Sequence, residues 1–230
     1  MSGTSPGSGE FSRYGSAYAR PTAIEAMVDL PRSKFEAHIG FMPTYGSYLS
    51  AYQNAVDTLF EQISSGEAPV DTLALPFLFM VRHSLEIGYK MNINYLSEYS
   101  GLDEKVNWDK HYLTDLHAAF GRHYEAVSDK FGVEEETDDE FWGRHQEVGD
   151  LASTLNQIDH GSYSFRYPVD LDQNTVFDHD ETVNLLDVKE AYDQSMVLLF
   201  HTADVLSRYT NYYDQMNSIL EREFKDAYRF

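Results

Sequence analysis

Arg82, Glu86 and Lys90 lie four residues apart in the segment LPFLFMVRHSLEIGYKMNINYLSEYSG (75–101), so on a helix all three share one face. Charges on an otherwise apolar helix are costly unless paired. Two readings stay open. One is a self-neutralising ladder of i, i+4 pairs, each contributing about 0.2–0.5 kcal/mol. The other is a pocket wall with two cations held in place by one carboxylate. A second candidate is FRYP within SYSFRYPVDLD (162–172). Tyr167 precedes Pro168 and is pushed towards extended geometry. Phe165 and Tyr167 then point to one side and pin the loop, and Arg166 points to the other. A guanidinium between two rings suits a bidentate partner, either Glu86 inside the fold or a ligand phosphate, and the structural role is preferred.

Other chemistries are poorly served. His111, His117 and His123 are six apart, about 240° out of phase per step, and cannot all face one metal from a straight helix. Adjacent Arg-His pairs at 82–83, 122–123 and 144–145 diverge by about 100°. His83 is expected to be a hydrogen-bonded core histidine. The run DHDE (178–181) reads as solvated charge in a polar loop. There is no E-x-x-H for a di-iron carboxylate bundle, and no Walker-type loop or G-x-G-x-x-G. No metal and no cofactor is expected.

Such side chains must be positioned by helices. Periodicity begins after Pro43, with Leu49, Tyr52, Val56, Leu59 and Ile63 on one stripe ending at Gly66. The next helix is expected to run from Pro76, at a first-turn position, to a stop at Gly101, and to be the most buried. Leu113, Leu116, Phe120 and Tyr124 mark another, closed by Gly132. The acidic run EEETDDE (134–140) favours the start of FWGRHQEVGDLASTLNQI. Around 162–178 an extended excursion follows, in which YSFRY and TVF pair as a short hairpin. Leu185, Val188, Tyr192, Met196, Leu199, Ala203 and Leu206 then form a packing seam over 183–208. A separate helix, MNSILEREFKDAYRF, closes the chain. Residues 1–20 are Gly/Ser-rich and expected to be disordered, with GSGEF resembling an expression linker, and 21–42 holds short pieces around Pro31. The expectation is an all-α bundle of about five long helices, one domain over 21–230.

Composition bounds the function. The 230 residues are 42% hydrophobic and include 17 tyrosines and 14 phenylalanines, enough for a sizeable aromatic core. Cysteine is absent, which excludes disulfides, thiolate zinc sites and a cysteine nucleophile. No stretch has the apolar length of a membrane span and no signal peptide opens the chain, so a cytoplasmic protein is expected. The net charge of −21 repels nucleic acid and anionic lipid at long range, so phosphate binding would need a local basic pocket. A solvated surface, adaptation to high salt or a basic protein partner would each account for the surplus.

The ordered set Glu86 with Lys90, His111 with Leu113, and Arg166-Tyr167-Pro168 resembles the HEPN (higher eukaryotes and prokaryotes nucleotide-binding) family. Many members there carry E-x-x-x-K-A, then H-x-L, then R-Y-P before the last helix. The resemblance covers roughly 45–210 and departs at Met91, where the family often has alanine. It implies a helical bundle, commonly dimeric, in bacterial toxin–antitoxin, antiviral defence or RNA-processing systems. The family's catalytic branch cleaves RNA without metal through R-x(4–6)-H on the last helices. Arg32 to His38 (RSKFEAH) has that spacing but lies outside the expected helix and is taken as coincidence, and His201 and Arg208 stand in reverse order. The resemblance therefore implies a non-catalytic, homodimeric binding or regulatory module recognising a nucleotide, an RNA phosphate or a protein partner. Its ligand-binding candidates are Arg82, Glu86, Lys90, His111, Arg166 and Tyr167. The alternatives are a metal-independent ribonuclease using Arg82, Lys90 and His111, and an acidic protein that neutralises a basic partner.

Overall fold

The structure, a computed structural model, describes residues 36–37, 39–40, 43–103, 111–159, 162–170, 172–178 and 180–227. The chain divides into two units, Met1–Met42 and Pro43–Phe230. The expectations for 1–20, for most of 21–42 and for Arg32 and His38 lie outside the described residues.

Five helices make up the described part: α1 (Tyr45–Ser64), α2 (Val70–Ser100), α3 (Leu113–Phe131), α4 (Glu135–Ile158) and α5 (Leu185–Ala227). The fold is an all-α helical bundle. Helices α2, α3, α4 and α5 form a ring in which each packs on the next and α5 returns to α2, and α1 lies on the outer side of α2. Among the described residues no helix is long and apolar enough to cross a membrane.

Local signals set the helix limits. Thr44 caps α1 reciprocally with Ser47: the Ser47 amide donates to Thr44 Oγ1 at 3.2 Å and the Thr44 amide to Ser47 Oγ at 3.2 Å. Gly101 and Gly132, both with positive φ, terminate α2 and α3. Two boundaries differ from expectation. Helix α2 starts at Val70, so Pro76 is interior to it. Pro76 is exposed and forfeits one early backbone bond, while Ala74 packs against the core, so the earlier turn is kept. Helix α5 runs unbroken to Ala227, because no glycine or proline interrupts SRYTNYYDQ between the seam and the expected last helix.

Helix α2 is enclosed on all sides in its middle: from Val81 to Lys90 every residue but His83 is buried. At Gly88 the absence of a Cβ lets α5 approach, since a Cβ there would sit 2.7 Å from Leu199 Cδ1. One turn on, Asn92 Nδ2 donates to the carbonyls of Gly88 (2.9 Å) and Leu199 (2.8 Å), tying the two helices. The seam residues Leu185, Val188, Tyr192, Met196, Leu199 and Leu206 are all buried within the bundle. Between α3 and α4, His117 stacks on His145 at 3.8 Å. Burial, with the neighbouring His145 charge behind it, pushes His117 down to about 4, so the stack is neutral at pH 7.

The excursion before α5 is a turn rather than an extended piece. The amides of Arg166 and Tyr167 both donate to the Tyr163 carbonyl, at 3.0 and 3.1 Å. That turn separates the two rings: Phe165 is buried and stacks on Phe177, and Tyr167 is exposed beside Tyr163. Among the described residues the hairpin contact is one antiparallel bridge, in which Thr175 of the expected TVF strand pairs with Val169, just beyond YSFRY. Asp170 Oδ1 accepts the Asp172 and Asn174 amides there, so this side chain closes the loop.

Candidate functional site

Glu86 is the hub of a charged network at the middle of α2. Its Oε1 accepts from Lys90 Nζ and pairs with His111 Nδ1, each at 2.8 Å. Its Oε2 lies 3.6 Å from Arg82 Nη1. Arg82 reaches in two further directions. Nη2 donates to the His111 carbonyl at 2.7 Å, and Nε lies 3.4 Å from Asp159 Oδ2. Asp159 Oδ1 in turn accepts the amides of Tyr163 and Ser164, at 2.6 and 2.8 Å. One guanidinium thus joins α2, the approach to α3 and the turn after α4.

The electrostatics follow from burial. Arg82 is 1% exposed and Asp159 0% exposed, so neither charge is stable without the other. Arg82 Nε and Nη1 and Asp159 Oδ2 make ion-pair distances without hydrogen-bond alignment, so the attraction is Coulombic rather than a bidentate fork. Burial lowers the Arg82 pKa, the Asp159 and Glu86 carboxylates oppose that, and the nearby Arg166 charge adds to the lowering. For Glu86, burial alone would raise the carboxyl, but hydrogen bonds from Lys90 and His111 outweigh it and hold the pKa below its ordinary value. Glu86 is therefore ionised at neutral pH. Arg82 and Lys90 thus face two carboxylates, those of Glu86 and Asp159.

Both readings of the ladder are partly met. The i, i+4 pairs exist, and Glu86 and Lys90 also line a cleft of about 430 Å³ with Tyr45, Tyr48, His83 and Ile87. His111 is the accessible member of the network, its side chain 53% exposed. His83 departs from expectation. It is half-buried and packed between rings, edge-on to Tyr52 at 4.6 Å and stacked on Phe79 at 5.8 Å.

The structure brings Arg82, Glu86, Lys90 and His111 together. Arg166 does not pair with Glu86, whose contacts are already those of Lys90, His111 and Arg82. Instead, Arg166 Nε donates to the Ser162 carbonyl at 2.7 Å, with Nη2 on the same oxygen. Its guanidinium lies over Phe79, Tyr163 and Tyr167 at 5.5–5.9 Å, exposed and locally anchored. Tyr167 likewise stands apart from the cleft. Asp159 was missed in the sequence. Its signal was the spacing Val148, Ala152, Leu155, Asp159, which puts a carboxylate at the next position of a buried stripe. Tyr45 and Tyr48 were missed as well, although YGSY places two rings three residues apart where the helix begins. Family models, curated proteins and solved structures gave no match to the chain.

Proposed function

We propose that the protein is a non-catalytic, HEPN-like binding or regulatory module of a bacterial defence or toxin–antitoxin system. It recognises a nucleotide, an RNA phosphate or a protein partner at the Glu86 network. The observation that carries the non-catalytic part of this reading is the pairing of both cations inside the fold: Arg82 to Asp159 and Glu86, Lys90 to Glu86. Cations held this way are poor stabilisers of a phosphorane, whose charge would have to displace Glu86 from them. Lys90 and His111, at the edge of the network, can still orient a phosphate. A homodimer is part of the proposal. The seam over 183–208 is consumed within the bundle, and the exposed end of α5 is the contact proposed for the dimer.

A ribonuclease remains the second reading, because Glu86 holds His111 Nδ1 and leaves the ring half-exposed, the arrangement of a carboxylate-oriented general base. A third, neutralisation of a basic partner, rests on the charge of −21.

Fluorescence anisotropy with a labelled single-stranded RNA decamer at low salt tests the binding reading. Wild type is expected to bind, and Lys90→Gln to weaken binding about tenfold, the scale of one charge-assisted contact. No binding up to millimolar protein, or equal binding by the variant, would contradict it.

A further inference from the structure

We infer that the stacked histidines between α3 and α4 form an acid-released latch: protonating the stack frees α4 from α3 while the rest of the bundle stays folded. The latch does not depend on what the Glu86 network binds. Each ring fills a gap left by a glycine of the opposite helix. A Cβ at Gly149 of α4 would sit 2.5 Å from His117 Nε2, and one at Gly121 of α3 would sit 3.0 Å from His145 Nε2. The rings lie 3.8 Å apart with 22° between their planes. In so close a packing two charged rings can move apart only if the helices part with them.

Among the described residues no carboxylate shares the charge. From α2 the group facing the stack is Tyr89, whose hydroxyl lies 3.2 Å from His117 Nδ1 and is kept protonated by burial. From α3 and α4 the rings of Phe120, Phe141 and Trp142 face His145 at 5.2–5.7 Å. The charged side chains next along the same helices, Asp115 and Arg122 on α3 and Arg144 and Glu147 on α4, act on neither imidazole, nor does any charge of α5. His145 Nε2 lies 3.2 Å from the His117 carbonyl, so it carries the proton of the neutral ring, and acid adds the second proton at Nδ1. Phe141 can attract one imidazolium, but it does not relieve the repulsion between two.

Burial and the neighbouring charge hold His117 at about 4 against an ordinary 6.5, and burial lowers His145 too, against the backbone bond that raises it. A histidine lowered on folding stabilises the fold in full above about pH 6.5 and loses that contribution as pH falls towards 4. For His117 alone the loss between pH 7 and pH 5 is about 20-fold in the equilibrium against opening. Helix α4 feels it first. It is held by α3 and α5 with a light contact to α2, so weakening one interface leaves it a single main support, whereas α2 keeps α1, α3 and α5 around it.

The test is amide hydrogen exchange of the full chain at pH 7 and pH 5, corrected for intrinsic rates, with the double variant His117→Asn/His145→Gln as comparison. Neither new side chain titrates; asparagine keeps a polar atom for the Tyr89 hydroxyl, and glutamine keeps a donor for the His117 carbonyl. In the wild type, α4 is expected to lose about 20-fold in protection and to end at least about tenfold less protected than α2 around Asn92. In the double variant the α4 loss is expected to shrink to less than about threefold. Equal protection of α4 and α2 at pH 5 in the wild type would overturn the latch, as would an undiminished α4 loss in the double variant. Ring NMR of the wild-type histidines checks the stack without a variant. His117 and His145 are expected to give neutral-imidazole signals in the folded protein at pH 5, and imidazolium signals from both there would overturn the latch as well.

Discussion

Replacing Arg82 with alanine is expected to cost the fold about 3–5 kcal/mol, read as a fall in the urea midpoint, because it strands a fully buried Asp159 and removes one partner of Glu86. The loss reaches three elements at once. The His111 carbonyl loses its donor, and the turn carrying Tyr163 and Ser164 loses the cation that balances the carboxylate holding it. Arg166→Ala is expected to cost less than about 1 kcal/mol, because its hydrogen bonds are local and its guanidinium is exposed. Adding Asp159→Asn to Arg82→Ala should recover part of the loss, as the stranded charge goes with it. Equal midpoints for wild type and Arg82→Ala would show that the network does not hold these elements together.

The second large effect is on assembly. From Gln215 to Lys225 every side chain of α5 except Asn217 is exposed, and Tyr99 and Tyr213 mark where the bundle's contacts end. Tyr212, Met216, Ile219, Leu220 and Phe224 form one apolar stripe there, at spacings of three and four. A helix end this short is marginal in water without a covered face. A second copy is the favoured cover. On a chain of charge −21 most surfaces repel a copy of themselves, but Glu221, Arg222, Glu223 and Lys225 alternate in sign and can pair across an antiparallel contact. Light scattering is expected to give twice the 26.4 kDa chain mass at micromolar concentration. Ile219→Glu with Phe224→Glu is expected to return it to the monomer without lowering the thermal midpoint of the bundle. A monomeric wild type would remove the dimer from the proposal.

Much of the architecture could be read from the residues, for identifiable reasons. Helix faces follow from local spacing, so the α1 stripe, the stops at Gly101 and Gly132 and the α5 seam were readable. So was the shared face of Arg82, Glu86 and Lys90. Boundaries governed by tertiary packing were not. Pro76 looked like a start because proline favours a first turn, yet Ala74 gains enough core contact to extend the helix past it. The FRYP loop misled for a related reason. Residue alternation assumes an extended strand, whereas the Tyr163 carbonyl collects two amides and folds 163–167 into a turn. That sends Phe165 inwards and Tyr167 outwards and leaves Arg166 beside its own backbone. Partners distant along the chain were the hardest to see. The contact of Arg82 with the His111 carbonyl depends on how α3 is approached, and no local pattern encodes it. Asp159 did carry a signal, a carboxylate on a buried stripe, and such a residue requires a cation somewhere in the fold.

The cations around Glu86 are proposed to recognise phosphate without catalysing its transfer. Total tRNA incubated in EDTA with the purified chain, alongside Arg82→Ala and His111→Ala, separates the two roles once the products are resolved. The expected result is intact tRNA with all three proteins, under conditions in which wild type retains the labelled decamer. Cleavage by wild type that disappears in His111→Ala would contradict the claim and make His111, oriented by Glu86, a catalytic residue.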